Sequence, residues 1–300
     1  FCSSRTLGEH IGDHHLGPRS GEQLGLGLAL APCTSGDDGD LVIESVHRDL
    51  PRTRPILDIM DDELWEAHAD WWQDGFTDGA DPEYEEQIMP LAAQLLAGAQ
   101  AVLDIGTGEG QIARLAVRGG ASRVVGVDPT SNQVVEAAAR GGGVAYGRAG
   151  AAALPFADDV FDAAVACLVF EHIEAVDAAI AEVARVLQPG GRFVFFLNHP
   201  LLQTPGSGWI DDHMIDPPEQ YWRIGPYLIE SSQIEEVQKD VFIPFIHRPL
   251  GRYVNALIEA GLQLERMLEP APPTGFLDRA TEYADAATIP RLLVLVCRRQ

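Results

Sequence analysis

The stretch VLDIGTGEGQIARLA, residues 102–116, constrains the fold more than any other part of the sequence. An apolar run precedes three closely spaced glycines, Gly106, Gly108 and Gly110, and an amphipathic run follows them. Glycine permits the positive φ angles of a tight turn and lets the backbone approach a ligand closely. The stretch therefore predicts a strand, a tight turn and a helix, with the turn built to approach a bound group.

The same alternation of strand-like and helix-like segments continues to residue 198. The predicted strands are AVLDI, SRVVGVD, VAYGRA, FDAAVACLVF and RFVFFLN. The predicted helices between them are EGQIARLAVRG, SNQVVEAAARG and AVDAAIAEVARVLQPGG, the last ending at its Pro-Gly-Gly. After residue 248, RYVNALIEAGL predicts a helix, and LQLERMLEP and RLLVLVCRR predict two more strands. Strands that alternate with helices form a parallel sheet covered on both faces, so we predict an α/β fold.

The pattern divides the chain into a leader and one folded domain. Residues 1–55 show no sustained period, and we predict that they are disordered or a non-native leader outside the domain at 56–300. Residues 60–98 predict an N-terminal helical cover, interrupted near Pro90. Residues 199–248 have no clear period and are too long for a plain loop, so they predict an inserted cap after the fifth strand.

Composition narrows the possible partners. The formal net charge of −24 opposes binding to nucleic acid, which attracts basic surfaces. No run of about 18 apolar residues is present, so we predict no membrane span.

The four cysteines, Cys2, Cys33, Cys167 and Cys297, lie far apart without metal-site spacing. This spacing is typical of a protein of the reducing cytosol, and we expect a cytoplasmic location.

Residues around the glycine turn indicate what it holds. Asp104 precedes the first glycine at a strand end, and Asp128 ends the next strand, where a carboxylate can accept hydrogen bonds from ribose hydroxyls. Gln111 stands where the dinucleotide-binding fingerprint requires its third glycine. An NAD(P)-dependent oxidoreductase stays an alternative on these residues alone, although no hydride-transfer constellation is visible.

Four ordered segments resemble the class I S-adenosylmethionine-dependent methyltransferases, of the small-molecule group that includes the ubiquinone and menaquinone enzymes. They are VLDIGTGEG, VVGVDPTSNQVVEAA, LPFADDVFDAAVACLVFEHI and EVARVLQPGGRFVFF, and the similarity spans about residues 83 to 200. The resemblance implies a Rossmann-like, seven-stranded, mostly parallel sheet with an antiparallel last strand and helices on both faces. It also implies an enzyme that transfers the methyl group of S-adenosyl-L-methionine to a small-molecule acceptor.

The resemblance implies a set of cofactor-binding residues in which the glycine turn meets the methionine portion of the cofactor. Asp104 would help to place its amino group, and Asp128 would hold its ribose. The family often has an Asp where this chain has Gly150, so the adenine is expected on backbone groups instead. The full set is Tyr84, Asp104, Gly106, Thr107, Gly108, Gly110, Asp128, Pro129, Thr130, Ala151, Ala152 and Cys167.

Methyl transfer to oxygen needs a base, and oxygen is favoured here over carbon or nitrogen. His172 is the leading candidate after the fourth strand, followed by Glu171 beside it, with His199 at the end of the fifth strand. Glu171 and His172 could instead cap a helix or border the cofactor. A protein that binds the cofactor without catalysis is a further alternative.

The insert supplies the predicted acceptor contacts. Aromatic and polar residues there could hold a flat acceptor or form the core of a lid. The predicted acceptor contacts are Asn198, which directly precedes the insert, and Trp209, His213, Tyr221 and Trp222 within it. Asp211 and Asp212 beside His213 suggest metal ligands, but the remaining ligands would have to come from scattered positions, and no metal is predicted. The tryptophans of the N-terminal cover, Trp65, Trp71 and Trp72, could close over the cofactor or pack on the domain.

Overall fold

The structure is a computed structural model and describes residues 64–77 and 79–300. The predicted leader, residues 1–55, lies outside the described residues. All of the elements below belong to the described part of the chain.

One seven-stranded sheet forms the centre of the described chain. Its strands are β1 (Ala101–Ile105), β2 (Arg123–Asp128), β3 (Ala145–Arg148), β4 (Phe161–Cys167), β5 (Leu187–Asn198), β10 (Leu262–Leu268) and β11 (Leu292–Arg299). The strand order is β10-β11-β5-β4-β1-β2-β3. Only β11 runs antiparallel to its neighbours β5 and β10, while the other pairs are parallel. The predicted Rossmann-like α/β sheet with an antiparallel last strand is confirmed.

Helices connect the strands at the positions that the sequence pattern indicates. They are α1 (Ala69–Phe76), α2 (Met89–Leu96), α3 (Gln111–Arg118), α4 (Ser131–Arg140), α5 (Val176–Val186), α6 (Leu250–Glu259) and α7 (Thr274–Leu277). A π-helical turn, Tyr84–Ile88, precedes α2, and Pro90 lies in the first turn of that helix. The irregularity predicted near Pro90 is therefore a π-helical turn directly before Met89 and Pro90, and the helix continues through it.

One predicted boundary was wrong. The helix expected to run to the Pro-Gly-Gly at 189–191 ends at Val186, and the segment LQPGG belongs to β5. The strand begins early because Leu187 pairs with Phe161 in β4.

The core lies on both faces of the sheet. Along β5, Phe193, Phe195 and Leu197 face one cluster, and Val194 and Phe196 face the other. This alternation follows from the two-residue period of a strand. Because both faces are buried, the central strands read as continuous apolar runs.

The segment that follows β5 folds as two hairpins. Strands β6 (Gly208–Asp212) and β7 (Glu219–Arg223) form one antiparallel pair, and β8 (Ser231–Gln238) and β9 (Val241–His247) form the other. No helix of the described residues has the length and apolar character needed to cross a membrane.

Candidate cofactor and acceptor site

The glycine turn after β1 has no room for side chains. Gly106, Gly108 and Gly110 all have positive φ, at 66°, 55° and 89°. A Cβ atom on Gly106 would overlap the side chain of Val169, and one on Gly108 would lie 3.3 Å from Trp72 Nε1. The turn therefore depends on glycine for both its conformation and its close packing.

Asp104 is a buried carboxyl group at the end of β1. Its Oδ2 accepts hydrogen bonds from Thr107 Oγ1 (2.7 Å) and from the backbone N–H of Ala113 (3.0 Å). Burial, with smaller contributions from the nearby carboxylates of Asp128 and Glu109, raises the pKa of Asp104 to about 7. A cationic group bound beside Asp104 would stabilise its ionised form.

Asp128 fixes the turn from the end of β2. Its Oδ2 accepts the N–H of Gly108 (2.9 Å), and its Oδ1 accepts both the N–H (2.9 Å) and the hydroxyl (2.5 Å) of Thr130. The N–H groups of Thr107 and Gly110 donate to backbone carbonyls, each at 2.9 Å. The protein's own acceptors therefore use the amides of Thr107, Gly108 and Gly110, which a phosphate cradle would have to offer to its ligand.

Glu109 completes the loop and was missed from the sequence. Its carboxylate is buried and pairs with the guanidinium groups of Arg114 and Arg140. These ion pairs fix the middle of the turn to α3 and α4. The sequence gives no signal for the pair with Arg140, because that residue lies far along the chain.

The N-terminal cover contacts the same region. Glu66 accepts the N–H groups of Ser131 (2.6 Å) and Asn132 (3.1 Å) at the start of α4. The ring of Trp65 lies 4.9 Å from that of His172, centroid to centroid. Together with Trp72 beside the glycine turn, these contacts place the cover over the carboxyl ends of β1, β2 and β4.

The remaining predicted cofactor residues border this edge of the sheet. Cys167 ends β4, and its Sγ lies 3.5 Å from the hydroxyl of Tyr84; both side chains are buried. Burial raises the pKa values of the Cys167 thiol and the Tyr84 hydroxyl, so both stay protonated. The other members of the set follow β2 and β3; they are Pro129, Thr130, Ala151, which is buried, and Ala152, which is exposed.

His172 and Glu171 lie in a short 3₁₀ turn, Phe170–His172, after β4. His172 Nδ1 lies 2.6 Å from the carbonyl oxygen of Pro244, so Nδ1 donates and Nε2 carries the lone pair. Burial lowers the pKa of His172 to about 4, which keeps the imidazole neutral near pH 7. Its ring contacts Trp65 on one side and Phe245 of β9 on the other.

Glu171 connects β4 to β5. Its Oε1 accepts the backbone N–H (3.1 Å) and the side-chain amide (2.9 Å) of Asn198, while its buried Oε2 has no hydrogen-bond partner. Burial raises the pKa of this carboxyl group. Asn198, predicted as an acceptor contact, thus uses its side-chain amide within the protein.

His199 does not have the free nitrogen that a base requires. Its Nε2 lies 2.8 Å from Glu269 Oε1, and its Nδ1 accepts the N–H of Leu201 at 3.2 Å. Both ring nitrogens are engaged in these contacts, so the geometry supports His199 as a base less well than His172.

The predicted insert residues separate into two groups. Trp209 and Trp222 face each other across the β6–β7 hairpin with ring centroids 5.6 Å apart. His213 and Tyr221 are exposed on the same hairpin and do not line the cavity described next.

A cavity of about 540 Å³ adjoins the carboxyl end of β5. Its walls come from the segment after β5, the two hairpins, and the region from α7 to β11. The lining residues include Gln203, Trp209, Trp222, Phe276, Tyr283 and Arg291. Since Leu292 pairs with Asn198, the cavity lies at the same edge of the sheet as the glycine turn.

Comparisons with known proteins agree with this geometry. The family model described as a methyltransferase domain matches residues 103–195. A crystal structure of an S-adenosylmethionine-dependent methyltransferase from Mesorhizobium loti is 30% identical, with a TM-score of 0.63, over 74% of this chain and 99% of that one. The chain belongs to the S-adenosylmethionine-dependent methyltransferases.

Two curated relatives match a shorter part of the chain. A ubiquinone/menaquinone biosynthesis C-methyltransferase of Desulfotalea psychrophila is 36% identical over 39% of this chain and 48% of its own length. An O-methyltransferase of Aspergillus sclerotiorum is 32% identical over 42% of this chain and 50% of its own. The chain thus spans about half the length of these curated relatives.

S-adenosylmethionine, the cofactor of this methyltransferase, fits the residues that surround the glycine turn. The cofactor carries a positive sulfonium and an amino group, and the turn presents the carboxyl groups of Asp104 and Asp128. The turn itself would be filled by a Cβ atom at Gly106. Among the described residues, no group of three or more His, Cys, Asp or Glu side chains is arranged to hold a metal ion.

Proposed function

We propose that this methyltransferase transfers the methyl group of S-adenosylmethionine to a small-molecule acceptor, with an acceptor oxygen favoured. The observation that carries the proposal is the composition of the glycine turn. The amides of Thr107, Gly108 and Gly110 donate to acceptors of the protein, and the carboxyl groups of Asp104 and Asp128 lie beside the turn. Such a turn suits the cationic amino-acid portion of the cofactor.

On the cofactor side, Asp104 would pair with the amino group and Asp128 would accept the ribose hydroxyls. Pro129, Thr130, Ala151 and Ala152 would border the adenine. When bound, the cofactor supplies an activated methyl group on its sulfonium.

On the acceptor side, the protein must orient the nucleophile and exclude water. We propose His172 as the base, because its neutral ring has a lone pair on Nε2 while Nδ1–H donates to Pro244. Glu171 would position β5 through Asn198. Curated relatives include both C- and O-methyltransferases. We favour oxygen because a histidine base would remove the proton of an acceptor hydroxyl group.

The alternative of a nicotinamide-dependent oxidoreductase has weaker support. A dinucleotide pyrophosphate needs free backbone N–H groups at the turn. Here the amides of Thr107, Gly108 and Gly110 are used, and Gln111 stands where the fingerprint has its third glycine.

A thermal-shift experiment tests the proposal. We expect S-adenosylmethionine and S-adenosylhomocysteine to raise the Tm and NAD to leave it unchanged, because only a ligand that binds the folded state stabilises it. A shift with NAD alone would refute the proposal. A panel of small-molecule acceptors then separates catalysis from binding, since a non-catalytic protein would bind the methyl donor but form no S-adenosylhomocysteine.

A further inference from the structure

Two residues that line the cavity beside β5 carry a side-chain N–H group without an acceptor in the protein. Gln203 is only 6% exposed, and its Nε2 has no hydrogen-bond partner. Trp222 Nε1 is likewise buried and unpartnered. Both residues line the cavity, one from the segment after β5 and one from β7. Because a buried donor without a partner is costly, two such donors on residues of one cavity wall indicate a ligand that carries oxygen acceptors.

The wall beside these donors is flat and aromatic. Trp209 and Tyr283 stack with their ring centroids 5.0 Å apart and an angle of 8° between their planes. Trp222 meets Trp209 edge-on, at 85°. Aromatic pairs favour offset-stacked and edge-to-face contacts, so this wall suits a ligand that has a ring of its own.

The charged residues of the cavity wall disfavour an anionic ligand. Two acidic residues of β8, Glu235 and Glu236, are among the lining residues. Arg291 is the one cation among the lining residues that the structure describes, and it is engaged by Glu83, with nitrogen–oxygen distances of 2.6 and 3.0 Å. Its guanidinium also lies 4.0 Å above the ring of Phe276. The lining therefore offers an anionic group no uncommitted cation.

We propose that this cavity binds the methyl acceptor as a neutral, ring-bearing molecule whose oxygen atoms accept hydrogen bonds from Gln203 and Trp222. The identification of this ligand as the acceptor rests on the methyl-transfer function proposed above. The volume of about 540 Å³ lies within the usual range for small-molecule sites. The position at the carboxyl end of β5 places the acceptor at the same sheet edge as the cofactor turn.

Calorimetry with three probes tests the donors and the charge preference. Chromone is a flat, neutral, two-ring molecule with two oxygen acceptors, naphthalene has the same ring outline without oxygen, and chromone-2-carboxylate adds an anionic group. Each is titrated into the full chain with S-adenosylhomocysteine present. We expect the wild type to bind chromone more tightly than either other probe.

Three variants assign the effect to the two donors. Gln203→Met removes the N–H groups with little change of shape, and it should weaken chromone binding about 3- to 10-fold while leaving naphthalene binding unchanged. Trp222→Phe removes the N–H group and part of the ring, so it should weaken chromone binding about 3- to 10-fold more than it weakens naphthalene binding. Gln94→Met makes the same chemical change on the exposed face of α2 and should alter neither affinity.

The outcomes separate this inference from the proposed function. If chromone fails to bind the wild type, or binds both donor variants as tightly as it binds the wild type, the acceptor assignment is wrong. Tighter binding of chromone-2-carboxylate than of chromone would also overturn it. Binding of S-adenosylhomocysteine, titrated separately into each preparation, reports on the proposed function alone; its failure would remove that function whatever the probes do.

Discussion

The carboxyl edge of the sheet has two regions that satisfy their polar groups in opposite ways. Around the glycine turn, Asp104 and Asp128 each accept hydrogen bonds from the protein, and Glu109 is paired with two arginines. In the cavity beside β5, Gln203 and Trp222 keep donors that no protein atom accepts. The first region is fixed by its own contacts, whereas the second needs a ligand to complete it.

This difference corresponds to the two tasks of a methyltransferase. A turn whose geometry is set before binding can bind the cofactor, because the cofactor is the same in every member of the family. An acceptor differs from one member to another, and in the proposal made here its contacts come from the segment that follows β5. His172 lies between the regions, since its ring contacts both Trp65 of the cover and Phe245 of β9.

A side chain in the glycine turn should have the largest effect on cofactor binding. Gly106→Val adds a branched side chain where φ is 66° and where Val169 already occupies the space. We expect S-adenosylmethionine affinity to fall by about 100-fold or more, because a left-handed conformation and an overpacked contact are both costly. Calorimetric titration measures the loss. Gly251→Val, at a site with no atom within 4 Å, is the control and should bind normally; binding by Gly106→Val within a few-fold of wild type would contradict the prediction.

His172→Ala tests the residue between the two regions. We expect kcat to fall about 10²- to 10⁴-fold with an acceptor found in the panel, the usual range for loss of a positioned base. Cofactor affinity, measured separately, should change little. Because burial lowers the pKa of His172 to about 4, titration of this group should not affect the wild-type rate above pH 6. Turnover within a few-fold of wild type would show that His172 is not the base.

Asp128→Ala separates ligand binding from the stability of the turn. We expect it to weaken S-adenosylmethionine binding by about 1–3 kcal/mol through the loss of charge-assisted hydrogen bonds. Asp162 provides a matched control, because its carboxylate also accepts backbone N–H groups, those of Gln100 and Ala101, but at the start of β1. Asp128→Ala and Asp162→Ala should both lower the Tm, and only Asp128→Ala should lower the affinity for S-adenosylmethionine. Equal affinities in the two variants would give Asp128 a structural role alone.

The sequence predicts the strand, the turn and the helix around the three glycines well because the signals for them are local. The apolar run, the glycines and the amphipathic helix are contiguous, and Asp104 and Asp128 each stand at the end of a recognisable strand. Glu109 was missed because its partner Arg140 is distant in sequence.

The inserted segment was harder to predict for two physical reasons. Strand β8 is mostly exposed, so it lacks the alternation of apolar and polar residues that marks a half-buried strand. Strand β9 contains Pro244 within an apolar run, which argues against a strand on sequence alone. Gln203 carries no motif, and its role follows only from its burial beside a cavity.

The pH dependence of cofactor binding is the smallest of the expected effects, and it tests whether Asp104 contacts the cofactor. Burial raises the pKa of Asp104 to about 7 in the folded protein, so this group adds stability below about pH 4 and that contribution is lost as the pH rises towards 7. A cationic ligand prefers the ionised carboxylate, so S-adenosylmethionine affinity should rise up to about pH 7 and fall again above about pH 8, where the amino group of the ligand loses its proton. At pH 6, binding should release a proton, which titrations in buffers of different ionisation enthalpy detect. Asp104→Asn should bind more weakly and show neither this rise nor the proton release. A wild-type affinity that is independent of pH between 5.5 and 8.5 would mean that Asp104 does not meet the cationic part of the cofactor.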